Sequence, residues 1–153
     1  MNRIKIIGAL LGLFFLSFNA TAQTDEAEIK KTIMLMFDGM RAGDSAMVHA
    51  AFAKQVTMQR VAKNREGKVV VSTSDLGGFL KAVGTPHDKV WNEQITFESI
   101  QIDGEMASVW TPFKFYLGDT FSHCGVNVFK LYKSEDGWKI FHLVDTNRRT
   151  DCG

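Results

Sequence analysis

The chain has 153 residues, and its 18 basic and 17 acidic side chains leave it close to neutral. Nucleic-acid binding depends on clustered Lys and Arg side chains that contact phosphates, and this chain has no such basic tract. We therefore expect no nucleic-acid partner.

Residues 1–22 have the pattern of a secretory signal peptide. Two of the first five residues are basic, an apolar run spans residues 6–18, and small residues stand at −3 and −1 of a cut before Gln23. The apolar run is shorter than the ~20 residues that a membrane-spanning helix needs. We predict a periplasmic or secreted protein that is free of the membrane after signal removal, with a single domain over residues 23–153.

Helices dominate the first half of this domain and strands dominate the second. Apolar residues three and four apart predict an amphipathic helix at the start, and Asp103-Gly104 predicts a tight hairpin turn in the strand-rich part. The order of elements favours an α+β fold, with helices packed on one curved antiparallel sheet. The predicted helices cover 25–41, about 44–52 and 74–83, and the predicted strands cover 56–61, 68–72, 95–102, 105–117, 120–133 and 137–149.

The element order and the stretch FKFYLGDTFSHCGVNVFKLYKSEDGWKIFHLVDTNRRTDCG resemble the nuclear transport factor 2-like superfamily. Within that superfamily, the chain is similar to the small exported bacterial proteins grouped as putative lumazine-binding, in detail over about residues 88–152. The resemblance implies a cone-shaped fold, a pocket between the helices and the concave sheet, and often a homodimer. It implies no particular reaction, because the superfamily includes isomerases, cyclases, dehydratases and pure binders.

The hairpin turns predict which strand residues lie opposite each other. If Leu117 pairs with Thr120 and Lys133 with Trp138, strict alternation sorts the side chains onto two faces of the sheet. One face mixes aromatic and polar groups, which is typical of a ligand pocket. The predicted ligand-binding residues on this face are Trp110, Lys114, Tyr116, His123, Asn127, Phe129, His142 and Arg148.

The opposite face is mostly apolar in this register. A sheet with helices on one side only needs a cover for an apolar back face, and a second copy of the same sheet is the simplest cover. We therefore predict a homodimer, with a back face covered by the C-terminal tail or left partly exposed as the alternative. The residues assigned to the interface are Val109, Phe113, Val126, Val128 and Leu143.

The stretch FSHCG places His123 beside Cys124. Neighbours in a strand point to opposite faces, so these two side chains are not expected to form a nucleophile and its base. His123 and His142 share the pocket face but lie about 20 Å apart along the strand, too far for one metal ion. We predict no catalytic and no metal-binding residues, and Cys124 is either a core thiol or half of a disulfide with Cys152.

The polar residues of the predicted pocket suggest the charge of its ligand. Lys114, His123 and Arg148 form a row across three strands, and no carboxylate shares their face. Such a row favours a planar ligand with a negative charge, unless the two longer side chains simply extend into water at the rim. No Gly-rich phosphate loop or other cofactor fingerprint is present, so no cofactor is predicted.

The favoured function is an exported small-molecule-binding protein with an aromatic, partly basic pocket. Two alternatives stay open. The first is a low-turnover enzyme of the isomerase, dehydratase or cyclase kind, in which a histidine would do the acid–base work. The second is a dimeric interaction module whose cone is filled by its own side chains.

Overall fold

The computed structural model describes the backbone of residues 7–152 and the side chains of residues 23–152. The predicted signal segment, residues 1–22, lies outside the described side chains, so its cleavage stays a prediction. No helix in the described part of the chain has both the length and the apolar character needed to cross a membrane. The elements are α1 (Ile7–Ala42), α2 (Ser45–Ala50), β1 (Phe52–Lys63), β2 (Val69–Ser74), α3 (Leu76–Gly84), β3 (Trp91–Ile95), β4 (Ser99–Asp103), β5 (Met106–Leu117), β6 (Thr120–Ser134) and β7 (Gly137–Thr146).

The seven strands form one curved sheet with the order β2-β1-β7-β6-β5-β3. β4 lies off this path and pairs with β5 on the same edge that β3 pairs with. Neighbouring strands are antiparallel except β1 and β7, which run parallel. The helices pack against one face of this sheet, and the predicted α+β class, with helices on one curved sheet, is confirmed.

The apolar stripe of α1 forms the core with the inner face of the sheet, which is the face turned toward the helices. Ile29, Ile33 and Phe37 are buried, and the ring of Phe37 meets the ring of Phe129 edge to face at 6.1 Å between centroids. Gly39 lets α2 approach closely, because a Cβ at this position would lie 2.7 Å from Val48 Cγ2. The core therefore lies between α1 and the inner face of the sheet, with α2 packed closely on α1.

The predicted strand register is wrong beyond two β-bulges. The hairpin pairs Leu117–Thr120 and Lys133–Trp138 are correct, but the register shifts between Phe115 and Tyr116 and again between Lys130 and Leu131. Each bulge adds one residue to a strand, so every side chain beyond it turns to the other face. The residues that the bulges move to the outer face, which is turned away from the helices, are Trp110, Lys114, Tyr116 and His142; those moved to the inner face are Val109, Phe113, Leu143 and Asp145.

A disulfide joins Cys124 to Cys152 and holds the C-terminal tail against the outer face of β6. Arg148 pairs with Cys124 through two backbone hydrogen bonds of 2.9 Å, and Asp151 then turns the chain back with a φ of 55°. Of the two alternatives for Cys124, the structure has the disulfide.

Candidate functional site

A cavity of about 540 Å³ lies between α1, α3 and the inner face of the sheet. This volume falls within the range of small-molecule sites. The interaction-module alternative required the space between helices and sheet to be filled by side chains. The cavity shows that this space is not filled. The apolar walls come from Met36, Phe37 and Met40 of α1, Phe79 of α3, and Met58, Trp91, Phe115 and Leu143 of the sheet. The polar lining residues are Gln59, Arg60, Ser72, Ser74, Asp75, Glu93, His123, Asn127 and Asp145.

Glu93 and Asn127 form a polar pair within this cavity. Glu93 lies on β3 opposite Phe115, and Asn127 Nδ2 donates a hydrogen bond of 2.8 Å to Glu93 Oε1. Burial raises the pKa of Glu93 to about 7, against the lowering effect of the Asn127 hydrogen bond. Asp145 also raises this pKa, whereas Arg60 lowers it. Glu93 is therefore a carboxyl group that gains and loses its proton near neutral pH.

Arg60 and Asp145 form an ion pair across the parallel strands β1 and β7. Arg60 Nε donates to Asp145 Oδ1 at 2.8 Å, and the guanidinium also bonds Oδ2. The hydrogen bond to Asp145 raises the pKa of Arg60 above its already high ordinary value. The positive charge of Arg60 is thus largely balanced by Asp145 rather than directed at Glu93.

His123 lies in the same cross-strand row as Glu93 and Phe115. Its ring is 4.9 Å from the ring of Phe115 and 5.7 Å from that of Phe113, and its Nδ1 lies 3.1 Å from Ser122 Oγ. Burial lowers the pKa of His123, and the positive charge of Arg60 lowers it further. His123 is therefore uncharged at neutral pH and contributes a ring with a polar edge.

Two of the predicted ligand-binding residues line the cavity, namely His123 and Asn127. Phe129 shares their face but is fully buried beneath α1. Trp110 is 45% exposed on the outer face, and His142 contacts Gln59 there. The other three predicted residues also lie outside the cavity lining: Lys114 pairs with Cys124, Tyr116 contacts Phe121, and Arg148 donates to the Asp151 carbonyl.

The sequence interpretation missed the cavity carboxyls and their neighbouring cation. It predicted a pocket face without a carboxylate, which is wrong because Asp145 lines the cavity, and it left Glu93 and Arg60 out. Glu93 shares one face of a short strand with Trp91 and Ile95. A carboxylate between two large apolar residues on the same face is the signal that could have identified it.

The arrangement suits hydrogen bonding and proton exchange. Within the described residues, no three His, Cys, Asp or Glu side chains come together in a group that could hold a metal ion. Rings and thioethers form the walls, and a protonatable carboxyl with its carboxamide partner lies among them. Such a site can bind a planar molecule and recognise a polar group on it.

The family model described as putative lumazine-binding matches residues 24–144. No curated protein matches the chain. Similar solved structures include a nuclear transport factor 2-like protein of unknown function from Shewanella baltica, with 18% identity, 83% of this chain and 96% of that chain covered, and a TM-score of 0.65. A protein of unknown function from Mycobacterium tuberculosis has 13% identity, with 86% and 76% covered and a TM-score of 0.68. A domain of unknown function with a cystatin-like fold from Nostoc punctiforme has 17% identity, with 84% and 80% covered and a TM-score of 0.64.

Proposed function

The chain belongs to the putative lumazine-binding family, and on that premise we propose that it binds a small planar molecule in the cavity beneath α1 and α3. The observation that carries the proposal is a cavity of about 540 Å³ whose apolar walls enclose one polar pair, Glu93 and Asn127. The family description names a small heteroaromatic ligand, lumazine, which supports a ligand-binding role for this fold.

Trp91 supplies an aromatic wall that is held in place before any ligand arrives. Its ring stacks on the ring of His87 at 4.4 Å and 8°, and it meets the ring of Phe115 at 6.3 Å and 71°. A ring fixed from two sides loses little freedom when a planar ligand packs against it. Aromatic contact and a polar anchor are together the usual chemistry of a small-molecule site.

The predicted negative charge of the ligand finds no support in this cavity. It rested on a row of Lys114, His123 and Arg148, and the bulges break that row. His123 lines the cavity, whereas Lys114 and Arg148 flank Cys124 on the outer face.

Calorimetric titration with lumazine and with the neutral planar amide 2-naphthamide tests the proposal. Trp91→Ala should weaken the binding of both compounds by about tenfold or more, because a stacking wall is lost. Phe121→Ala is the matched control, since its ring is exposed and lies outside the cavity lining, so both affinities should stay unchanged. Failure of both compounds to bind, or equal losses in the two variants, would contradict binding in the cavity.

We propose export to the periplasm or the medium as the setting of this function. The signal-like segment 1–22 and the disulfide between Cys124 and Cys152 support an oxidising compartment. The intact mass of the exported protein should correspond to a chain that begins at Gln23 and contains no free thiol. A retained N-terminal segment would contradict export by this route.

We also propose that the protein forms a homodimer through the outer face of the sheet. Val126 and Val128 lie on this face beside the exposed ring of Trp110, whereas the other three residues first assigned to the interface point into the core. Trp110→Lys should shift the sedimentation coefficient to that of a monomer without unfolding the chain. An unchanged coefficient would exclude this face as the interface.

A further inference from the structure

We propose that the cavity selects planar ligands that carry a positively charged N–H group, such as an amidinium or a protonated amine, and that Glu93 is the residue that selects them. The inference rests on the proposed function, because it names the ligand class of the same cavity. It reverses the ligand charge that the sequence predicted.

The charges of the cavity lining point to a cation. The lining has three carboxyl groups, on Asp75, Glu93 and Asp145, and one guanidinium, on Arg60. Two of these carboxyls already have partners: Asp145 binds Arg60, and Asp75 accepts hydrogen bonds from the backbone N–H groups of Gly77 and Gly78. Glu93 is the carboxyl that remains for a ligand.

Glu93 has acceptor capacity to spare. A carboxylate offers about four lone-pair sites, and among the described residues Asn127 supplies the single hydrogen bond to it. Glu93 also keeps part of its surface accessible, and that surface lies in the cavity lining. A ligand with two parallel N–H donors could bond this carboxylate without displacing Asn127.

The walls near Glu93 are the kind that favour cations. Aromatic ring faces attract positive charge, and methionine thioethers adapt to flat ligands. Trp91 and Phe115 are the inner-face neighbours of Glu93 on its own strand and the next, and Met36 and Met40 line the cavity from α1. An anionic ligand would meet these ring faces and the carboxyls without a free cation in the lining to balance it.

Protonation of Glu93 couples cation binding to pH. The groups that face it are His123 on β6, which is uncharged, the Arg60–Asp145 pair on β1 and β7, and Asp75 before α3; on α1 the Asp38–Arg41 pair reaches Asn92. A bound amidinium stabilises the ionised form, so binding below neutral pH should release a proton from Glu93. Affinity for the cation should therefore rise as pH rises through about 7.

Three nearly isosteric probes test the inference: 2-naphthamidine, 2-naphthamide and 2-naphthoate, which are cationic, neutral and anionic. At pH 8 the wild-type protein should bind the amidine about tenfold tighter than the amide, and the naphthoate weakest. Between pH 8 and pH 6 the amidine affinity should fall about tenfold, with proton release seen as a buffer-dependent heat, while the amide affinity stays constant.

Glu93→Gln removes the charge and keeps an oxygen for Asn127 to bond. This variant should bind the amidine and the amide within about threefold of each other. Glu98→Gln, on the exposed connection between β3 and β4, is the matched control and should keep the full preference.

The outcomes separate the inference from the function beneath it. If the amide or the naphthoate binds at least as tightly as the amidine, the cavity is a ligand site and the charge selection is wrong. If Glu93→Gln keeps the amidine preference, or weakens all three probes equally, Glu93 is not the selecting residue. If no probe binds, both the inference and the planar-ligand site are overturned.

Discussion

Asp25 and Glu93 are two enclosed carboxyl groups whose pKa values shift in opposite directions. Asp25, which is 8% exposed, accepts hydrogen bonds from Lys133 Nζ and from Trp138 Nε1, the latter at 3.2 Å. The Lys133 hydrogen bond holds the pKa of Asp25 below its ordinary value, against the effect of burial. Glu93 receives only a carboxamide donor from Asn127, and burial raises its pKa to about 7.

The two carboxyl groups differ in the partner that the fold supplies to each. Asp25 fastens α1 to the β6–β7 hairpin, and a cation is supplied to keep it ionised. Glu93 lies in a cavity, its hydrogen-bond partner is the neutral carboxamide of Asn127, and the nearby guanidinium of Arg60 is paired with Asp145. A carboxyl that destabilises its own ionised state is typical of a functional position.

The largest expected effect is a pH dependence of stability caused by Glu93. Between about pH 4.5 and pH 7 the folded chain holds a proton on Glu93 that the unfolded chain has lost, so the free energy of unfolding falls as pH rises. The fall attributable to this group is up to about 3 kcal/mol. It should be measurable as the difference between wild type and Glu93→Gln in urea unfolding across this range.

His123 acts in the opposite sense over part of the same range. Its lowered pKa means that the unfolded chain binds a proton first, so its contribution to stability is lost as pH falls below about 6.5. Because wild type and Glu93→Gln both contain His123, its contribution cancels in the difference between their free energies of unfolding. Glu98→Gln should behave as wild type. Parallel curves for wild type and Glu93→Gln would refute the raised pKa.

Asp25→Ala tests the structural member of the pair. The buried Trp138 Nε1–H loses its acceptor, which should lower the free energy of unfolding by about 1–3 kcal/mol. Asp25→Asn keeps an acceptor and should cost less. Asp38→Ala, which removes an exposed partner of Arg41 on the same helix, should change stability by at most about 0.5 kcal/mol. If Asp25→Ala lowers the free energy of unfolding no more than Asp38→Ala does, Asp25 has no structural role of this kind.

Asn127→Ala should lower the free energy of unfolding by about 1 kcal/mol and move the pKa of Glu93 further from that of Asp25. It removes the hydrogen bond that lowers the pKa of Glu93, so that pKa should rise. The carboxyl resonance of Glu93 followed by NMR against pH reports the shift. A midpoint that does not move would mean that Asn127 has no electrostatic effect on the carboxyl.

The sequence predicted the fold more fully than the site. Periodicity and turn residues are local, and they placed α1 and the tight turns at Gly104 and Gly118, where the structure has φ values of 56° and 59°. The bulges depend on how β5, β6 and β7 curve around the helices, which alternation along one strand does not record. Each bulge adds one residue, Ser122 on β6 and Phe141 on β7, and so reverses the face of the residues around it.

The bulges change the predicted site because its residues lie on both sides of them. His123 and Asn127 were placed correctly, whereas Lys114 and Asp145 exchanged faces, and with them the predicted charge of the pocket was inverted. Glu93 was missed because the first strand of the second half was predicted to begin at Ile95, whereas β3 begins at Trp91.

The most direct test of the account is an NMR pH titration of the side-chain carboxyl carbons in the wild-type protein. We predict a midpoint near 7 for Glu93 and a midpoint below the ordinary value of 3.8 for Asp25. Addition of 2-naphthamidine should lower the Glu93 midpoint and leave that of Asp25 where it was. A Glu93 midpoint near the ordinary glutamate value of 4.5, unmoved by the amidine, would contradict the central claim that this carboxyl is a proton-exchanging group that faces the ligand.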